Sequence, residues 1–276
     1  MRIKKHENGN EYLLTKHGMW IRNFTREVIP VDINKVTDRN DYSIIVENEI
    51  KNNTLDVSEI DTDKIKHTHA IIVSDGHDFE KKQHLLVSLP KEVLVIATNR
   101  ALAKWKINKK IDYFVVNNPY SECMLQMPKH RYFPPCVASA RTNYQFLKEY
   151  DARGGTIYKY ASVREEKFSP SISKTICNID DYRNPICASI VLSYKFGVSN
   201  LMLFCCDNAF AEDRPGAEQL PNNKWIYPQQ RLGHSLIEGM LEWYSKHKVK
   251  LADHSSGPEY SQAHYIPENK VVSFFN

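Results

Sequence analysis

The sequence contains no GxGxxG, no GxxxxGK[ST], no GxSxG and no HExxH. Each absence removes a class. Without the glycine-rich fingerprint, backbone cannot approach a pyrophosphate as it does in dehydrogenases, and without the P-loop an ordinary P-loop kinase or ATPase is not expected. Hydrolase and zinc-protease readings lose their usual carriers as well. No apolar run reaches the roughly 18 residues of a membrane span, and Met1-Arg2-Ile3-Lys4-Lys5-His6-Glu7 lacks the apolar core of a signal peptide, so a cytoplasmic location is the expectation. There are six cysteines (Cys123, Cys136, Cys177, Cys187, Cys205, Cys206) but no CxxC, and the adjacent Cys205 and Cys206 stand in an apolar run. They read as buried thiols in a reducing compartment. The net charge of +4 comes from 37 basic and 33 acidic residues mixed along the chain. That is too weak and too dispersed to call for nucleic acid, although it favours anionic ligands. Internal repeats and low-complexity segments are also lacking.

What is present is an ordinary globular composition, 42% hydrophobic, over 276 residues, enough for one large core and a small addition. Residues 1–65 read as an N-terminal appendage, with an aromatic stretch from Tyr12 to Phe24 and a polar helix from about Asp38 to Lys51. From residue 66 onward, short β-branched runs alternate with helical patterns. Ala70–Val73, Val93–Ala97, Tyr113–Val116, Thr156–Tyr160, Leu201–Cys205 and Val249–Ala252 predict strands. Helices are predicted between the first strands and over Thr142–Tyr150, Pro185–Phe196 and Gln229–His247. Runs that are apolar on both faces and separated by helices predict a Rossmann-like, mostly parallel α/β sheet with helices on both faces. Ser162–Asp181 is a long polar segment, expected to act as a lid over the site.

Open parallel sheets bind ligands beyond the carboxyl ends of their strands. Here those ends are polar: Ser74-Asp75-Gly76-His77-Asp78, Thr98-Asn99-Arg100, Asn117-Asn118-Pro119-Tyr120, Asp207-Asn208 and Asp253-His254-Ser255-Ser256-Gly257. A shared nucleotide site accounts for them; Asn and Asp are also favoured helix caps. Asp207, ending a buried strand, must bind a ligand or metal or accept neighbouring N–H groups. Trp20, Trp105, Trp225 and Trp243 are read as packing residues.

Taken in order, these strand ends resemble the 6-hydroxymethylpterin diphosphokinase MptE-like family and its relatives, the motility-accessory flagellin glycosyltransferases and the lipooligosaccharide sialyltransferases, over Ile71 to Phe275. In that group a GxGPSL-type loop follows the first strand, an Asn the second, Asp-Pro or Asn-Pro the third, and an Asp the strand after an alanine-rich helix. The matching places here are Ser74–Phe79, Asn99, Asn118-Pro119 and Asp207, with Ser255-Ser256-Gly257 similar to a late Ser-Gly-Gly-like turn. Gly-His-Asp stands where the family has Gly-Pro-Ser. An aspartate there would repel a phosphate unless a metal ion intervened.

The resemblance implies a nucleotide-sugar-dependent glycosyltransferase of the sialyltransferase-like type, needing no cofactor. Gly233-His234-Ser235 is similar to the Gly-His-Ser whose histidine is the general base of the sialyltransferases, so His234 and Asp207 are the expected catalytic residues. A helix-capping His234 is the alternative. Asp75, Gly76, His77, Asn99, Asn118, Tyr227, Ser255 and Ser256 are the expected nucleotide and substrate contacts, with His254 beside them. Arg164, Lys167, Tyr182 and Arg183 could touch a leaving phosphate. A second implied function is an ATP-dependent diphosphokinase with Mg²⁺ on Asp207 and Asp75 or Asp78, and a third is an inactive nucleotide-binding module. The expected partners are a nucleotide or nucleotide-sugar donor and a small-molecule or glycan acceptor. A homo-oligomer is compatible with the sequence.

Overall fold

The computed structural model describes residues 2–5, 11–14, 20–22, 39–55, 57, 60, 66–129, 132–162, 178–179, 184–207, 218–219, 225–226, 228–255 and 260–276. The chain begins with a three-stranded antiparallel sheet, β1 (Arg2–Lys5), β2 (Glu11–Leu14) and β3 (Trp20–Arg22), followed by helix α1 (Arg39–Asn52). The predicted apolar runs then become strands β4 (His69–Val73), β5 (Leu94–Thr98) and β6 (Tyr113–Val116). β7 (Cys136–Ser139), helix α3 (Tyr144–Ala152) and β8 (Ile157–Ser162) follow, after a one-turn α2 (Phe79–Lys82) between β4 and β5. The remainder is β9 (Asn178–Ile179), α4 (Pro185–Lys195), β10 (Asn200–Phe204), the hairpin β11 (Glu218–Gln219) and β12 (Trp225–Ile226), α5 (Pro228–Ser245), β13 (Lys250–His254) and β14 (His264–Tyr265).

Nine of these strands form one sheet in the order β14-β13-β10-β4-β5-β6-β7-β8-β9, and every pairing is parallel. The Rossmann-like α/β class read from the sequence is the observed one. Strand β7 was not legible, because Cys-Val-Ala-Ser is short and lacks a β-branched run. Between β4 and β7 the connections hold α2 and 3-10 turns at Gln83–Ser88, Asn99–Ala101 and Ser121–Gln126 rather than full helices. Pro90, Pro119 and Pro128 leave little room for longer ones.

Alternation along the strands feeds two apolar layers. On one face Ala70, Ile72, Ile96, Val115 and Leu203 pack beneath α4 and α5, whose Ile186, Ile190, Ile237 and Leu241 are buried. On the other, Ile71, Val73, Ala97, Phe114 and Phe204 meet Phe79, Phe146 and Tyr150. Helix α4 starts on Pro185 with Asn184 as its cap, the side chain accepting from Ile186 N at 2.9 Å. Helix α1 sits against the chain leaving β6 and β7: Asn48 Nδ2 donates to Pro119 O (2.8 Å), and Asn52 Nδ2 to Ala140 O (2.8 Å) and Thr142 O (2.6 Å). The boundary drawn at residue 65 borders 61–65, which lie outside the described residues. Among the described residues, no helix is long and apolar enough to cross a membrane.

The connectivity fixes where a ligand would bind. From β4 the chain steps outward through β5, β6, β7 and β8 to β9, then returns to lay β10 on the opposite flank of β4. The direction of winding reverses between β4 and β10, and the crevice at such a reversal, beyond the strand ends, is where open α/β sheets hold their ligands.

Candidate functional site at the switch point

The loop leaving β4 is stitched to the chain leaving β10. Ser74 N donates to Phe204 O (3.0 Å) and Gly76 N to Cys205 O (2.9 Å). Cys205 turns with φ +53°, a left-handed conformation that costs a non-glycine residue on the order of 1–3 kcal/mol. Its N–H donates to His254 O (3.3 Å), and Cys206 N donates to Ser255 Oγ (2.9 Å), tying β13 into the same corner. Gly76 is required by contact: a Cβ there would stand 1.8 Å from Asp207 Oδ1 and 2.4 Å from Cys205 O. Asp207 is fully buried directly against this glycine.

On the other flank, Asn99 also adopts φ +53°, and its Nδ2 donates to Ser74 Oγ (2.9 Å). The next residue, Arg100, donates through Nε to Asp75 Oδ2 (3.0 Å), and Lys104 Nζ reaches the same oxygen at 3.4 Å. Two cations on one carboxylate leave the triad with a net positive charge. The negative charge of Asp75 is therefore offset within the loop, while the aspartate of Gly-His-Asp, Asp78, has Lys82 Nζ 3.9 Å from its Oδ2.

Two imidazoles border the corner. His234, on α5, stacks on Tyr260 (centroids 4.5 Å, interplanar 19°), and Tyr260 OH donates to Cys206 O (2.8 Å). Burial pushes the His234 pKa below its ordinary value, with Glu238 opposing, so the ring is neutral at pH 7. Its Nδ1 has no hydrogen-bond partner among the described residues. Glu238 accepts from Ser261 N at 3.0 and 3.1 Å, which fixes the segment carrying Tyr260. His254 is wholly buried; its Nδ1 lies 2.5 Å from Ile266 O, a carbonyl that can only accept, so Nδ1 carries the proton. Burial lowers its pKa too, against the carbonyl bond and against Glu268 and Asp78, with Lys82 adding to the lowering.

No protein-family model and no curated protein matches the sequence. The fold is that of a known structure. The MAf glycosyltransferase from Magnetospirillum magneticum AMB-1 superposes with a TM-score of 0.63 at 12% identity, over 84% of this chain. This chain spans 39% of that protein's length. At this identity the likeness is one of architecture.

Contacts join five of the expected site residues, Asp75, Gly76, Asn99, Asp207 and Ser255, around the ends of β4, β5, β10 and β13. His234 enters through Tyr260. His77 is exposed, 3.5 Å from Asp78 Oδ1. Asn118 lies on the same edge at the end of β6; its Oδ1 accepts from Tyr120 N (2.9 Å) in a turn, and its carbonyl accepts from Asn143 N. Tyr227 and Ser256 lie outside the described residues, as do Arg164, Lys167, Tyr182, Arg183 and most of the proposed lid. Sequence reasoning missed Lys104 and Tyr260. Lys104 stands four residues after Arg100, a spacing that offered a signal, whereas nothing in the sequence singles out Tyr260.

Proposed function

We propose that this chain is a nucleotide-sugar-dependent glycosyltransferase of the sialyltransferase-like type, with His234 as general base. The observation that carries the reading is a neutral imidazole held at the corner where β10 and β13 end, beside the reversal of the sheet. The donor lies across the ends of β4, β5 and β6, with Gly76, His77, Asn99, Asn118 and Ser255 around it, and Asp207 supports the Gly76 loop from below. The acceptor hydroxyl attacks the anomeric carbon of the donor sugar, and the bond from that carbon to the nucleotide's phosphate oxygen breaks. The phosphate leaves with the bonding pair, and His234 takes the hydroxyl proton. A base of depressed pKa is unprotonated across the neutral range, as this step requires.

Screening CMP-sugars and UDP-sugars for binding, then for transfer, tests the reading. His234→Ala should lower turnover by about 10²- to 10⁴-fold with donor affinity nearly intact. Turnover in the wild type should rise with pH along a limb centred below about 6.5. Full turnover by the alanine variant would remove His234 from the mechanism.

The diphosphokinase alternative of the MptE-like type draws no support from the arrangement. Asp75 Oδ2 is engaged by Arg100 and Lys104, and Asp207 is buried against Gly76.

A further inference from the structure

We infer that Arg100 and Lys104 form the anion-binding pair that receives the phosphate of the nucleotide ligand, with Asp75 as the residue that positions them. This rests on the nucleotide reading above and adds to it the group that takes the negative charge. Four observations converge. Asn99 is held in a left-handed conformation by its bond to Ser74, and this sets the direction in which the chain presents Arg100. Asp75 binds Arg100 through Nε alone, which leaves the two terminal amino groups of the guanidinium without a partner among the described residues. The Arg100 side chain is 55% exposed while Asp75 is 13% exposed, so the carboxylate grips the guanidinium from the protein side and the open fork is solvent-accessible. Lys104 converges on the same carboxylate oxygen and adds a second charge.

A guanidinium fixed along one edge recognises a phosphate by two parallel N–H···O bonds at little entropic cost, because its orientation is set before the ligand arrives. The position agrees with the chemistry. In doubly wound sheets the end of the strand after the phosphate loop faces the bound nucleotide, where an acid meets the ribose or an arginine a 2′-phosphate, and β5, which leads into Asn99 and Arg100, is that strand here.

The positioning role of Asp75 gives a test whose sign separates it from simple electrostatics. Removing a negative charge beside an anion site should by itself strengthen phosphate binding. If Asp75 orients the guanidinium, Asp75→Asn should weaken it instead. Calorimetric titration of the full chain with CMP, UDP, cytidine, uridine and inorganic pyrophosphate, at fixed salt, provides the readout. Arg100→Ala should reduce affinity for the phosphate-bearing ligands roughly ten- to a hundredfold and leave the nucleosides unchanged. Arg100→Lys should fall between, keeping charge without the fork. Thermal melting of each variant reports whether it is folded.

Unchanged phosphate affinity in a folded Arg100→Ala variant overturns the inference while leaving the nucleotide reading intact. Tighter phosphate binding by Asp75→Asn overturns the role given to Asp75. Arg100-dependent binding of pyrophosphate with no nucleotide bound sustains the anion site and sinks the nucleotide reading. No binding of any of these ligands removes both.

Discussion

Where α1 closes the chain leaving β6 and β7, amide side chains are bonded to carbonyls that the sheet leaves over; at the ends of β4, β5 and β10 the backbone itself is bent. Asn48 and Asn52 hold Pro119, Ala140 and Thr142, and buried Lys159 donates to Asn52 O (3.2 Å) and Asn53 Oδ1 (3.1 Å). No described residue there has a positive φ. At the switch point Asn99 and Cys205, two of the three described non-glycine residues with positive φ, stand on either flank of one loop, with the buried His254 and the partly buried His234 beside it. Both regions lie on the same edge of the same sheet. Polar residues at strand ends therefore do not by themselves mark a site, and neither do desolvated titratable groups, since burial lowers the Lys159 pKa at the α1 end as well; backbone strain is what separates the candidate site from the closed end.

The comparison breaks most easily at Gly76. Gly76→Ala drives a methyl into Asp207 and the Cys205 carbonyl, so the loop must shift, at a cost of about 1–3 kcal/mol. Nucleotide affinity should fall with it. Calorimetry and denaturant melts on one preparation would show both, and an alanine variant that binds normally would mean that the loop is not part of the site.

Asn52→Ala should cost a similar or smaller amount, about 1–3 kcal/mol, because it abandons two buried carbonyls. Here affinity and turnover below the melting transition should not change. A loss of nucleotide binding would make the α1 end part of the working site.

The two histidines predict a pH dependence of stability. Their folded pKa values lie below the unfolded value of about 6.5, so the unfolded chain takes up protons first as pH falls. Stability is full above about pH 6.5 and declines below it toward the folded values. Tm measured from pH 8 to pH 5 should fall over that window, and His254→Gln should shrink the decline relative to the wild type.

The smallest effect is expected on α5, away from both ends. A Cβ on Gly239 meets no described atom within 4 Å, so Gly239→Ala should add about 0.5–1 kcal/mol of stability through helix propensity and leave turnover alone. Unaltered Tm would mean that the helix gains nothing there.

The strands were legible because the runs at 70–73, 94–97, 113–116 and 201–204 are apolar on both faces, a pattern that only a doubly covered sheet satisfies. β7 was hidden by small residues, and the short connections by a helical rhythm that never becomes a helix. At the site, the loops were legible as polar strand ends, and so was the departure at Gly-His-Asp. The partners were not: Asp75 meets Arg100 across 25 residues of chain, and His234 meets Tyr260 across a helix and a strand. Such meetings depend on side-chain direction in three dimensions, for which a single sequence carries no periodic signal. Asp75 therefore read as an isolated loop carboxylate, when Arg100 and Lys104 meet it.

The order of the strands also sets a timetable. β4 is the first strand of the large sheet to be made, yet one of its edges is filled by β10, and Asn200 Nδ2 and His69 Nδ1, 2.8 Å apart, are separated by 131 residues. Until β10 leaves the ribosome, the nascent chain carries a fully apolar strand with an open row of N–H and C=O groups, an invitation to pair with another molecule. The corner formed by Gly76, Cys205 and Asp207 cannot exist before that moment. A newborn chain completes this corner only when its most exposed seam is closed, so a product cut short before Asn200 would lack the candidate site and be prone to clump.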